Sequence, residues 1–160
     1  MRMFGIVVGL IVASPAVAQM SMPETAPVCV KAEVVPGFEA WGKSAGAAQL
    51  AIGGASTLAL APADAVKFSP PLNRAAAPGD FGGVYGITIV KGGTYRFALA
   101  PGAWIDVIAR GERLPSAAHT HGPACSGIAK IVDYALEPGD YVVQFSAVKV
   151  PKLAAMVVAR

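Results

Sequence analysis

The sequence predicts an all-β protein, a jelly-roll-like antiparallel β-sandwich of about seven to eight short strands. Apolar and polar residues alternate in short runs, and turns rich in Gly or Pro separate these runs at intervals of roughly ten residues. No stretch has the period of an amphipathic helix. Hydrophobic residues form 54% of the chain and charged residues 14%, which is enough apolar material for the core of one domain.

The N-terminus has the pattern of a secretory signal peptide. Arg2 supplies a positive charge, residues 4–13 form an apolar run, and Ala16-Val17-Ala18 is a small-x-small cleavage site. The run is too short to cross a bilayer, which takes about 20 residues. We therefore predict a signal peptide over residues 1–18 and a periplasmic or secreted mature chain that has no membrane span.

The net charge of +3 is spread along the chain rather than gathered in a basic stripe. Nucleic-acid binding would need such a stripe, with aromatic residues between the Lys and Arg side chains. The expected partners are therefore a periplasmic protein, a glycan or a small ligand, and not nucleic acid.

The mature chain begins with residues 19–46, which predict an extended lead-in and loop because Pro and Gly interrupt them and no period is sustained. Trp41 is expected to pack on the edge of the core. The sandwich domain is expected over residues 47–160, and its first strands are predicted at residues 56–61 and 66–68.

A Pro- and Gly-rich insert over residues 69–83 follows, and loops of this length are usually functional or mobile. Asn73 and Arg74 stand at its centre. They are candidates for a lid or a partner contact, and the alternative is a solvated loop tip. Alternation over residues 85–89 then predicts another strand.

Two predicted hairpins flank the segment that holds both histidines. Two pairs of strands are predicted, residues 94–100 with 104–109 and residues 128–136 with 141–147. A fifth strand is predicted near the end of the chain, over residues 153–158. Turns rich in Gly and Pro would close each pair as a hairpin. The histidine loop is therefore expected to cross from one β layer to the other, or over one end of the sandwich.

Cys29 and Cys125 are the two cysteines, so one pairing exists. A disulfide is expected in an oxidising compartment. It would close a loop of about 95 residues, for which the chain-entropy model gives about 4 to 5 kcal/mol as an upper figure. The alternative is a free Cys125 that acts as a nucleophile or as a metal ligand.

His119 and His121 are the candidate metal ligands. Residues i and i+2 of an extended segment project to the same side, so two imidazoles can reach one ion. A third ligand would come from Asp106, Glu112 or Met156. Imidazole with thioether suits copper, and imidazole with carboxylate suits zinc or copper. The alternative is a solvated polar loop that holds no ligand or cofactor.

A catalytic triad of His119, Asp106 and a serine can also be drawn. Ser116 and Ser126 are the serines in question, but the chain has no Gly-x-Ser-x-Gly nucleophile elbow. We therefore name no catalytic residues from the sequence.

Lys130 falls among the apolar residues of its predicted strand. A buried lysine would need a partner such as Asp106 or Asp140. Trp104, beside Asp106, is a candidate shelf for a sugar or a peptide, with packing in the core as the alternative. With Asn73 and Arg74 of the insert, Trp104 and Asp106 form the candidate ligand surface.

Three segments resemble the pre-peptidase C-terminal type of β-sandwich. They are residues 92–97 (GGTYRF), 104–107 (WIDV) and 138–143 (PGDYVV), which share its Gly-Thr-Tyr and Pro-Gly-x-Tyr hairpins over less than half of the chain. The resemblance implies an accessory binding module. The calcium-binding members of that class are rich in aspartate, and here Asp106 alone matches them.

The mature chain as a whole looks like a group of small exported proteins of alphaproteobacteria, through residues 103–107 (AWIDV) and 121–128 (HGPACSGI). Some of that group are described as homogentisate 1,2-dioxygenases. Such an enzyme is a much larger, cytoplasmic cupin that holds ferrous iron through two histidines and a carboxylate. His119 and His121 lie two residues apart with no glutamate at a cupin-like spacing, so that ligand set has no counterpart here.

The function expected from the sequence is therefore an exported, non-enzymatic binding or structural module of the periplasm. The alternative is a metal-binding protein or a metal-dependent enzyme that uses His119 and His121.

Overall fold

The computed structural model describes residues 28–160, which form two β-sheets packed as a sandwich. The predicted β-sandwich is therefore confirmed. The signal peptide predicted over residues 1–18 and the start of the lead-in lie outside the described residues. Within residues 28–160, the chain forms no helix with the length and apolar character that crossing a membrane requires.

Residues 28–160 form eleven strands and one 3-10 turn. In chain order they are β1 (Ala45–Gly46), β2 (Ala55–Ala59), β3 (Ala61–Pro62), the 3-10 turn (Ala63–Ala65), β4 (Phe81–Ile89), β5 (Gly93–Ala100), β6 (Trp104–Ala109), β7 (Glu112–Arg113), β8 (Ala118–Thr120), β9 (Lys130–Leu136), β10 (Gly139–Val148) and β11 (Lys152–Ala159). The strand predicted at residues 66–68 is wrong, since no strand lies between β3 and β4.

Sheet I has the strand order β1-β2-β11-β5-β9-β8, and sheet II has the order β3-β4-β10-β6-β7. All neighbours are antiparallel except β1 and β2, which run parallel. The four edge strands β1, β8, β3 and β7 have only two or three residues each, and they account for the excess over the predicted number. Short edges limit the unpaired backbone that a sheet presents to other chains.

Both hairpins predicted around the histidine segment are wrong. β5 lies in sheet I and β6 in sheet II, and β9 and β10 are divided in the same way. The turns that join them therefore carry the chain from one sheet to the other. Alternation identifies the buried face of a strand, but it does not identify the neighbouring strand. The predicted crossing between the sheets is found, because β7 belongs to sheet II and β8 to sheet I. It falls at residues 114–117, and His119 lies in the edge strand β8 rather than in a loop.

The core lies between the sheets because the long strands turn their apolar positions inward. In β5 these positions are Tyr95, Phe97 and Leu99, which are at most 4% exposed. β10 contributes Val143 and Phe145, whose side chains are completely buried. Burying each such side chain stabilises the fold by roughly 1.5 to 3 kcal/mol before entropy is counted.

The lead-in covers the outer face of sheet I. Phe38 is 1% exposed and packs in a second apolar cluster with Ile131 and Met156, while Trp41 lies at the border of that cluster. The disulfide between Cys29 and Cys125 joins the lead-in to the segment between β8 and β9, and its Cα atoms are 5.3 Å apart. The predicted disulfide is confirmed, and the alternative of a free Cys125 is wrong.

Candidate functional site

A cleft with a volume of about 200 Å³ opens at the side of the sandwich, where residues of β6 in sheet II meet residues of β8 and β9 in sheet I. We call it the side cleft. Its walls are Trp104, Ile105, Ser116, His119, Lys130, Val132 and Tyr134. Aromatic, cationic and hydroxyl groups therefore converge on one small concavity, which is the usual composition of a ligand site.

His119 reaches the side cleft because of the register between β8 and β9. It pairs with Val132, and residues opposite each other in a sheet share a face. Val132 belongs to the core between the sheets. The imidazole is therefore directed to the inner side of sheet I, and it stays exposed because β8 is an edge strand.

Lys130 enters the same cleft from the first position of β9. It is half-buried, and its Nζ donates a hydrogen bond to the Ala103 carbonyl at 3.1 Å and lies 5.3 Å from the centre of the Trp104 ring. Burial lowers the pKa of the Lys130 ammonium because it removes water from the charged form. Cation and ring attract each other at this distance.

The carboxylate partners expected for Lys130 are both occupied elsewhere. Asp106 Oδ2 lies 3.2 Å from Arg113 Nε. Asp140 accepts a hydrogen bond from the Thr88 hydroxyl at 2.6 Å. The expectation of an ion pair for Lys130 with either aspartate is therefore wrong.

Trp104 and Tyr134 shape the walls of the side cleft. Trp104 is 49% exposed, so the alternative that it packs in the core is wrong. The Tyr134 hydroxyl donates to the Ile105 carbonyl at 3.1 Å. Burial, with a smaller effect from the charge of Asp106, raises the pKa of Tyr134 to about 12. Tyr134 therefore remains a neutral wall of the cleft at physiological pH.

His121 lies apart from the side cleft. Its Nδ1 atom is 3.3 Å from the Ala129 carbonyl. Met156, one of the suggested third ligands, is buried in the apolar cluster beneath the lead-in. Across residues 28–160 the structure brings no three His, Cys, Asp or Glu side chains together in a metal-binding arrangement. Copper or zinc binding by His119 and His121 stays a prediction.

The triad drawn from the sequence does not assemble around His119. Ser116 lines the side cleft with it, but the suggested acid, Asp106, is buried beside Arg113. The Ser126 hydroxyl donates to the Pro123 carbonyl at 2.7 Å and accepts from the Ile128 N–H at 3.1 Å. These two hydrogen bonds of Ser126 stabilise the turn before β9.

Asp106 and Asn73 of the candidate ligand surface meet through Arg113. The Arg113 guanidinium donates to Asn73 Oδ1 at 2.9 Å and to the carbonyls of Pro70 and Pro71. Arg74 is exposed, and its charge, after the larger effect of Lys149, helps to lower the pKa of Asp80. The insert spans residues 69–80, since β4 begins at Phe81 and includes Gly82 and Gly83.

A larger concavity, of about 830 Å³, lies under the insert. Its walls are mostly Ala, Pro and apolar side chains. Its buried carboxylate, Asp80, is already bonded to Lys149 Nζ and to the Ala77 N–H. Volume favours this concavity, and Lys67, Phe68 and Phe81 also line it. Lys67 is exposed, whereas the lysine of the side cleft is half-buried beside an exposed tryptophan. We therefore give more weight to the side cleft, where the polar group is partly shielded from water and can be offset by a ligand.

Sequence reasoning singled out Trp104 and His119 separately and noted Lys130 as a misfit, but it did not unite them. The sequence feature that could have pointed to the side cleft was Lys130, a lysine at an inward-facing position of an apolar strand.

Comparison of this chain with protein-family models, with characterised proteins and with solved structures finds no match in any of the three.

Proposed function

We propose that this chain is an exported, non-enzymatic binding module whose β-sandwich holds a ligand in the side cleft. The observation that carries the proposal is the convergence of Trp104, Lys130 and His119 on one concavity from three different strands. Strand pairing fixes the backbone positions of these residues before a ligand arrives, so less entropy is lost on binding than at a loop.

The export of the module is supported by two independent features. The N-terminal sequence has the charge, apolar run and small-residue site of a signal peptide. The Cys29–Cys125 disulfide is typical of proteins that fold in an oxidising compartment, the periplasm or the cell exterior.

Binding is favoured over catalysis by the composition of the side cleft. Acid–base catalysis generally relies on titratable groups that orient and activate one another. Among the described residues that line the cleft, His119 has no carboxylate beside it, and the nearby Asp106 is engaged by Arg113. The cleft therefore offers contacts for a ligand rather than a paired acid and base.

The proposal is tested by the fluorescence of Trp104. The chain has two tryptophans, so Trp41→Phe leaves Trp104 as the only reporter, and Trp104→Phe leaves Trp41 as a matched control on the lead-in. In a screen of small soluble organic compounds, hits should change the emission of the Trp41→Phe protein and leave the Trp104→Phe protein unchanged. Hits that act only on Trp41, or a compound that is converted to product in a His119-dependent way, would contradict the proposal.

A further inference from the structure

We propose that the side cleft recognises a carboxylate carried on a small planar or apolar body, and that Lys130 is the residue that pairs with it. This inference rests on the proposed function, because it names the chemical class of the ligand for the same site. Three features of the cleft support it: the half-buried Lys130 ammonium, the absence of an acidic partner for it among the described residues, and the half-exposed ring of Trp104.

The Lys130 ammonium is withdrawn from water without full compensation. An ammonium group has three N–H donors, and one of them is used by the Ala103 carbonyl. The Trp104 ring, 5.3 Å away, attracts the cation but supplies no negative charge. None of the ion pairs found among residues 28–160 involves Lys130. A half-buried cation without a counter-charge is costly, and a charged acceptor that enters the cleft would offset this cost.

The surroundings of Lys130 favour an anion over a cation or a neutral acceptor. No Asp or Glu lines the side cleft among the described residues. The carboxylate of Asp106 is held at Arg113, and the carboxylate of Asp133 is held at Arg96, at 2.8 Å. Ser116 and His119 supply further polar groups at the walls, which suit the second oxygen of a carboxylate.

The size and surface of the cleft limit the body that carries the carboxylate. A volume of about 200 Å³ is small for a ligand site, so the cleft takes only a small group. Trp104 offers a half-exposed aromatic surface, on which flat or apolar groups pack well. Two sources supply this chemistry, a free small acid and the carboxylate at the end of a polypeptide, and they differ only in what extends out of the cleft.

Matched acid and amide pairs test the inference. Benzoate against benzamide represents the free acid, and a tripeptide ending in phenylalanine, with a free C-terminus or a C-terminal amide, represents the polypeptide. Binding is measured by Trp104 fluorescence in the Trp41→Phe protein, and repeated with Lys130→Met added. Lys152→Met, at an exposed lysine of β11, is the matched charge control.

We expect at least one acid to bind at least about tenfold more tightly than its amide, because a charged hydrogen-bond partner is worth at least that factor. Lys130→Met should abolish this preference, and Lys152→Met should retain it. The pair that shows the preference identifies the source of the carboxylate. Thermal unfolding of each variant verifies that the sandwich is intact.

Equal binding of acid and amide, or a preference for the acid that survives in the Lys130→Met protein, overturns the carboxylate inference while the proposed binding function stands. A lack of response to all four probes also overturns the inference. The proposed function fails separately, if the wider compound screen finds no compound that acts through Trp104.

Discussion

Arg113 Nε lies 3.2 Å from Asp106 Oδ2, and the same guanidinium holds the backbone of the insert through the carbonyls of Pro70 and Pro71. Gln144 of β10, which lies opposite Asp106 of β6, also holds the insert, since its Oε1 accepts from the Ser69 N–H at 2.7 Å. These polar side chains, of which Asp106 and Gln144 are buried and Asn73 is exposed, therefore fasten the insert to sheet II. The insert is therefore held against that sheet by hydrogen bonds.

Arg113→Met should loosen the insert. The change leaves the Asp106 carboxylate buried without its cation and frees the carbonyls of the insert, which should lower the free energy of unfolding by about 1 to 3 kcal/mol. Trypsin cleavage after Arg74, an exposed residue of the insert, should become faster. Arg110→Met, in the exposed turn before β7, is the matched control. An unchanged rate of cleavage at Arg74 in the Arg113→Met protein would show that Arg113 does not hold the insert.

Asp133→Asn should destabilise the protein at neutral pH. Arg96 Nε and Nη2 donate to the two Asp133 oxygens at 2.8 and 2.9 Å, and Asp133 is only 3% exposed. The loss of this two-point pair should cost about 1 to 3 kcal/mol. Urea unfolding at about pH 7, compared with the wild type, measures the cost.

The same pair predicts a direction for the pH dependence. The hydrogen bonds from Arg96 lower the pKa of the Asp133 carboxyl below its ordinary value, which is about 3.9 in an unfolded chain. The stability that this pair contributes is therefore present above about pH 4 and is lost as the pH falls through the lower pKa of the folded state. The difference between wild type and Asp133→Asn should shrink as the pH falls below about 4. A difference that stays constant with pH would contradict this assignment.

Gly122→Ala should distort the turn that follows the histidines. A Cβ atom at Gly122 would lie 2.1 Å from the Ile128 carbonyl oxygen, so the backbone before β9 must move. Overpacking of this kind costs about 1 to 3 kcal/mol. Gly102→Ala is the matched control, since a Cβ there meets nothing within 4 Å. Equal thermal midpoints for the two variants would show that the turn yields without cost.

Removal of the disulfide, by Cys29→Ser with Cys125→Ser, should lower stability by up to about 4 to 5 kcal/mol while the β-sheet signal in circular dichroism survives. Neither cysteine lies in a strand, whereas the lead-in is joined through the bond to the segment before β9. Protease sensitivity near Lys31 should therefore rise before that of the sandwich. A protein that loses its sheet signal together with the disulfide would contradict this order.

The fold class, the disulfide and the bounds of β6 were predictable because each depends on local pattern or on a unique choice. Alternation fixes which side chains of a strand are buried, and two cysteines allow one pairing. The partners of the strands were not predictable. A short turn joins β5 to β6 whether the next strand stays in the sheet or crosses the sandwich, and nothing in the local sequence decides between the two.

The ion pairs and hydrogen bonds between side chains that are distant in the sequence could not be predicted either. Arg96 meets Asp133 because β5 and β9 are neighbours in a register that places these two residues opposite each other. Arg113 meets Asn73 across forty residues only because the insert folds over sheet II. Trp104, Lys130 and His119 converge for a similar reason, since three strands must be placed before their side chains share a cleft.

The claim that the side cleft is the binding site is tested most directly by mapping a bound compound on isotope-labelled protein by nuclear magnetic resonance. The probe is the best-binding compound of the fluorescence screen. We expect the largest chemical-shift changes at the Trp104 indole N–H and at the amides of His119 and Lys130. The largest changes within residues 69–80, around the concavity under the insert, with the Trp104 indole unmoved, would contradict the account.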